Sequence, residues 1–126
     1  NKLNKNLFVK NSIRRIKVKP IKVQHGKIKS TCYIIDKKLA YISDVSKIFK
    51  KDYKYFKNLK FIVFDCLWYR NHPSHFNLDK SLEMIKMFSP KKAILTNLHT
   101  DLDYNKLKKL LPNNVIPAYD GLSVKL

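Results

Sequence analysis

A chain of 126 residues is long enough for one domain with a real core, and its apolar share of 44% with 12% aromatic excludes an intrinsically disordered chain. The net charge of +18 points toward nucleic acid or another anionic surface, but only three of the 27 basic residues are Arg (Arg14, Arg15 and Arg70). Arg is the residue suited to bidentate phosphate contacts, so its scarcity weakens that reading. The lysines are spread along the chain, and joint Lys and Asn enrichment is what A/T-rich codons produce.

Residues 1–12 read as a frayed or incomplete N-terminal segment, and 13–126 as the folded part. The first residue is Asn, so the chain is expected to begin inside a longer product. The N-terminus has no signal-peptide h-region, and no apolar run approaches the roughly 20 residues of a membrane span. Between Ile13 and Val23 apolar and basic residues nearly alternate, which predicts half-exposed strands broken at Pro20. Residues 28–35 and 39–43 are expected as short strands joined in a hairpin by Asp36-Lys37-Lys38. Ser46 is expected to cap a helix carrying Ile48, Phe49, Tyr53 and Phe56. The run FIVFDCL then reads as a strand covered on both faces.

A loop over 68–76 leads to Asn77, a good helix cap, and Leu78, Leu82, Ile85 and Phe88 follow at helical spacing until Ser89-Pro90. AILTNL predicts another buried strand. Thr100 with Asp103 resembles a capping box for a helix carrying Leu107, Leu110 and Leu111 and ended by Pro112. Strands near Val115-Ile116 and Leu122–Val124 are expected to close the chain. Sheet and helix alternate from residue 46 onward, so the fold class is α/β. Cys32 and Cys66 lie inside apolar runs without a CxxC spacing, as expected of reduced core residues in a cytoplasmic protein.

All four histidines stand in polar clusters at the ends of apolar runs: His25 before Gly26, His72 and His75 around Pro73, and His99 after Asn97. Asp44 has the same placement, and α/β folds build sites at strand ends. Imidazole and carboxylate are ligand types for Zn, Mn or Fe. His72 and His75 also precede a helix N-terminus, where free N–H groups favour a phosphate. Each has an ordinary alternative: a turn residue at His25, a helix cap at Asp44, loop hydrogen bonding at His75. Asp65, Asp101 and Asp120 read as structural, at a strand end, in a first turn and in a turn. No HxHxDH cluster is present, so these residues alone do not complete a two-metal site.

The ordered set QHG, AYISDVS, FDCLWYRNHPSHF, AILTNLHTDLDY and AYDGL resembles the C-terminal half of a metallo-β-lactamase-fold hydrolase, in the branch of the phosphoribosyl 1,2-cyclic phosphate phosphodiesterases. The resemblance covers about residues 13–126. It implies an αββα sandwich and a site with two divalent metal ions, Zn or Mn. It also implies phosphodiester hydrolysis by metal-bound hydroxide, formed by lowering the pKa of water. By motif position His25 and Asp44 resemble metal ligands, with Asp44 bridging two ions, and either His99 or Asn97 is expected to replace the last ligand. His75 resembles the catalytic histidine at the phosphodiester, with His72 and Arg70 beside the substrate. The family's last ligand follows a Thr directly. Here Thr96 is followed by Asn97, with His99 two positions later.

The family's HxHxDH half lies outside this sequence, so a fragment that pairs with an N-terminal half is expected. Its implied partners are that half and a small phosphodiester, with a homodimer left open. A basic nucleic-acid-binding module, or an RNA-processing nuclease of the same fold, is the alternative. No membrane partner is expected.

Overall fold

The computed structural model describes residues 6–7 and 15–126 of the chain. Seven strands form one sheet in chain order: β1 (Asn6–Leu7), β2 (Ile16–His25), β3 (Ile28–Ile35), β4 (Leu39–Ile42), β5 (Phe61–Asp65), β6 (Lys92–Thr96) and β7 (Val115–Pro117). Neighbours are antiparallel from β1 to β4 and parallel from β4 to β7. Helix α1 (Leu78–Phe88) joins β5 to β6, α2 (Tyr104–Leu110) joins β6 to β7, and a 3-10 helix (Lys50–Tyr55) lies between β4 and β5. Of the N-terminal segment, Asn6 and Leu7 pair with Lys17 and Ile16; the rest of 1–12 lies outside the described residues. Among the described residues no helix is long and apolar enough to cross a membrane.

The expected break at Pro20 does not occur: β2 runs through it, opposite Tyr33. The Asp36 N–H donates to Lys17 O, so odd residues of β2 bond toward β3 and the amide position of Pro20 faces away from it. The hairpin after β3 is as expected, with Asp36 and Lys37 both at positive φ.

Three other expectations need correction. Ser46 does not cap an α-helix; Lys47 pairs with Gln24 at the edge of β2, and only the 3-10 turn follows. Apolar residues three apart suit that tighter helix as well as an α-helix. The last helix starts at its cap Asp103, three residues beyond Thr100, because the Asp103 carboxylate accepts from Lys106 N at 2.8 Å. Residues 122–124 form no strand. Asn77 caps α1 as expected, accepting from Lys80 N, and Ser89 ends it in a left-handed conformation.

One sheet face meets the helices. Val23, Cys32, Ile42, Ile62, Phe64 and Leu95 are buried there with Phe56, Met84, Ile85, Phe88 and Leu107. Each fully buried Phe contributes roughly 1.5–3 kcal/mol from water exclusion. Across the other face the register aligns Tyr33, Tyr41, Val63, Ile94 and Ile116 in one row. Tyr33 and Tyr41 are 40% and 44% exposed, so this second face is apolar and only partly covered.

Candidate metal centre at the strand ends

Strand direction brings the polar clusters together. β2 is parallel to β4, β5 and β6, so His25, Asp44, Asp65 and Asn97 all emerge at one end of the sheet. Asp44 and Asn97 have φ of 53° and 60°, a left-handed conformation that Asp and Asn tolerate better than most residues. Gly26 stands at φ 58°, and a Cβ there would lie 3.0 Å from the Ser74 side chain. Its missing side chain lets the 66–77 loop close over the β2–β3 turn.

Through that close approach the loop orients both central imidazoles. His25 Nδ1 lies 2.7 Å from Ser74 O, an acceptor only, so Nδ1 carries the proton and Nε2 keeps a lone pair. His75 Nδ1 lies 2.9 Å from Asp65 Oδ2 and likewise donates, leaving its own Nε2 available. The two rings meet edge to face with centroids 4.7 Å apart. One donor atom from each of His25, Asp44 and His75 lies within 4.8 Å of the others. The imidazole nitrogen of His25 and the carboxylate oxygen of Asp44 are donor types for Zn or Mn, with the His75 imidazole beside them.

Beneath this group lies Asp65, a residue expected from the sequence to be structural. It is fully buried. Oδ2 accepts from Val45 N at 3.0 Å and from His75, and Oδ1 accepts from Asn97 Nδ2 at 2.9 Å. Its main-chain oxygen accepts from the buried Ser81 hydroxyl at 2.6 Å. Asn97 also donates to Ser43 Oγ, and its Nδ2 lies 3.5 Å from Asp44 Oδ1. Asp65 thus ties the ends of β4, β5 and β6 to His75. Its sequence signal was the one that singled out Asp44: a carboxylate ending an apolar run.

The remaining expected residues lie around this group rather than in it. His99 is stacked on Trp68 with centroids 5.1 Å apart, and its Nδ1 accepts from Asp101 N at 3.2 Å. Arg70 lies over Trp68 at 5.3 Å. His72 is exposed, 5.4 Å from the His75 ring, with Nδ1 accepting from Ser74. Asp101 and Asp120 are exposed. Burial pushes the Cys66 thiol up to about 12, helped by the Asp65 charge, and pushes Cys32 up to about 12 as well. Both cysteines are free and buried, so neither is a reactive thiol.

No protein-family model and no curated protein sequence matches the chain. Solved structures do. A diphosphatase of the PhnP family superposes with a TM-score of 0.86 at 24% identity, covering 97% of this chain and 46% of that one. The metallo-β-lactamase fold protein YhfI from Bacillus subtilis gives 0.71 at 16% identity, over 93% of this chain and 51% of the other. Human tRNase Z, short form, gives 0.68 at 14% identity, over 95% and 44%. The chain therefore spans about half the length of the structures it matches, and over that length it has the metallo-β-lactamase fold.

Proposed function

We propose that this chain supplies part of the active site of a metal-dependent hydrolase acting on a small phosphodiester. The observation that carries the reading is the grouping of His25, Asp44 and His75 with both Nδ1 atoms already committed. Likeness to a diphosphatase and a tRNase Z supports phosphoester chemistry. His25 and Asp44 would hold a divalent cation, which would supply Lewis acidity toward a phosphoryl oxygen. His75 differs from His25 because its Nδ1 proton rests on a buried carboxylate rather than a carbonyl. An imidazole oriented in that way is equipped to pass a proton at Nε2 to or from the substrate. Asp65 and Asn97 hold the strand ends in place while it does so. His72 and Arg70, exposed on the same loop, face the incoming phosphate. His99 stays on Trp68, outside the ligand set.

The remaining ligands come, in this reading, from the other half of the fold, packed on the face that carries Tyr33 and Tyr41. The experiment adds that half, measures bound Zn and Mn, and follows turnover of bis-(p-nitrophenyl) phosphate. His25→Ala is expected to lose metal and turnover together, whereas His75→Ala keeps its metal and loses turnover by about 100-fold or more. A reconstituted protein that retains no transition metal would sink the proposal.

A further inference from the structure

The fold gathers lysines that are scattered in sequence. A groove of about 940 Å³ lies between the β2–β3 hairpin and the 3-10 helix, lined by Lys19, Lys22 and Lys29 from the hairpin and by Lys50 and Lys51 from the 3-10 helix. Asp52 is its single acidic residue, and Phe49 and Tyr55 supply aromatic walls. The ammonium groups already rest on those rings: Lys19 Nζ lies 4.3 Å from the Tyr55 centroid and Lys29 Nζ 4.5 Å from that of Phe49. All five lysines are exposed, while the two rings are half-buried.

We propose that this groove binds the backbone of a single-stranded nucleic acid, with Phe49 and Tyr55 as stacking surfaces. Charge spaced along a channel with interleaved aromatic rings is how sequence-tolerant single-strand binders work. An anionic membrane would call for apolar side chains that project, whereas these rings line a concavity. An acidic peptide would use the lysines but gain little from two ring faces.

The groove is placed to matter. Lys29 pairs with Gln24, one position from the His25–Ile28 pair. From Lys19 to His25 the strand spans about 20 Å at the usual rise per residue. A strand lying in the groove would thus run toward the metal centre without any ligand of that centre being needed to hold it.

The test uses the full chain, labelled oligo(U) and oligo(dT), and EDTA throughout, so that binding is measured without any hydrolysis. Its outcome is therefore independent of the proposed hydrolase activity. Affinity should fall with salt with a logarithmic slope of about −3, as expected for four or five phosphate contacts on a single strand. The combination Lys19→Gln, Lys29→Gln and Lys50→Gln should weaken binding about tenfold or more. Lys86→Gln, Lys106→Gln and Lys109→Gln, which remove equal charge from the helices, should change it less than about twofold. Tyr55→Leu should weaken oligonucleotide binding about fivefold while leaving inorganic polyphosphate binding unchanged. Thermal melting of each variant verifies that it is folded. Equal loss from both triple variants would overturn the proposal, as would tighter binding to polyglutamate or to phosphatidylserine vesicles than to either oligonucleotide.

Discussion

At one end of the sheet the left-handed non-glycine residues are Asp44 and Asn97; at the other they are Asp36, Lys37, Asn58 and Ser89. The backbone device is the same and its use is different. Asn58 N donates to Phe88 O and Lys38 N to Ile35 O, so the far turns are held chiefly by main-chain bonds. At the site end the strained residues aim side chains, and a buried carboxylate joins three strand ends to a loop. Side-chain identity should therefore matter far more at one end than at the other.

The largest expected effect tests that contrast directly. Asp65→Ala removes the acceptor for Val45 N, His75 Nδ1 and Asn97 Nδ2, and should lower stability by about 3 kcal/mol in urea unfolding. A loss below about 0.5 kcal/mol, typical of an ordinary surface position, would erase the difference between the two ends.

Next in size is an alkaline effect. Burial first, and then the Asp65 charge, keeps the Cys66 thiol neutral up to about 12, against 9.0 for an unperturbed thiol. The same holds for Cys32, where burial is again the main cause and Asp65 and Asp44 add to it. The unfolded chain ionises these thiols first. Their contribution is thus fully present below pH 9 and is lost as pH rises toward about 12. At pH 10 each thiol should have lost about 1 kcal/mol of stability relative to pH 8. Cys66→Ala should show a shallower decline between those two pH values, and an unchanged decline would refute the assignment.

The smallest effect on stability comes from placing glycine at both ends. Lys37→Gly should raise stability by about 1 kcal/mol, because a left-handed Lys carries strain that glycine does not. Asp44→Gly relieves the same strain but deletes a proposed ligand. It should leave the urea midpoint unchanged or higher while weakening Zn binding by about 100-fold in calorimetry. If both variants behave alike in both measurements, Asp44 is only a turn residue.

Much of this was legible in the chain. The strand within FIVFDCL, the Asp36–Lys38 turn and the Asn77 cap depend on local chemistry and stand as expected, although Phe61 and Val63 are half-buried where cover on both faces was expected. The positions of His25 and Asp44 at strand ends followed from apolar runs stopping at polar residues. Less legible was whatever depends on contact between distant segments. The role of Ser46 is not legible locally because its partners, Gly26 N and Gln24 O, belong to a segment some 20 residues away. Asp65 looked like one more strand-end carboxylate, since nothing beside it in sequence shows Val45, His75 and Asn97 converging. The basic groove was hidden for the same reason: its lysines come from three segments.

The bare Cα of Gly26 has a consequence for the order in which the molecule assembles. The β2–β3–β4 meander closes through turns of a few residues, while the His25–Ser74 bond joins positions 49 apart. Long closures cost more entropy and form after short ones. When the loop does settle on Gly26, one dipeptide orients both rings: the Ser74 carbonyl fixes His25, and the next residue is His75 itself. A chain with that loop undocked thus has neither imidazole in place. A cation bound there would stabilise only the finished chain, so its affinity would report whether the last loop has docked.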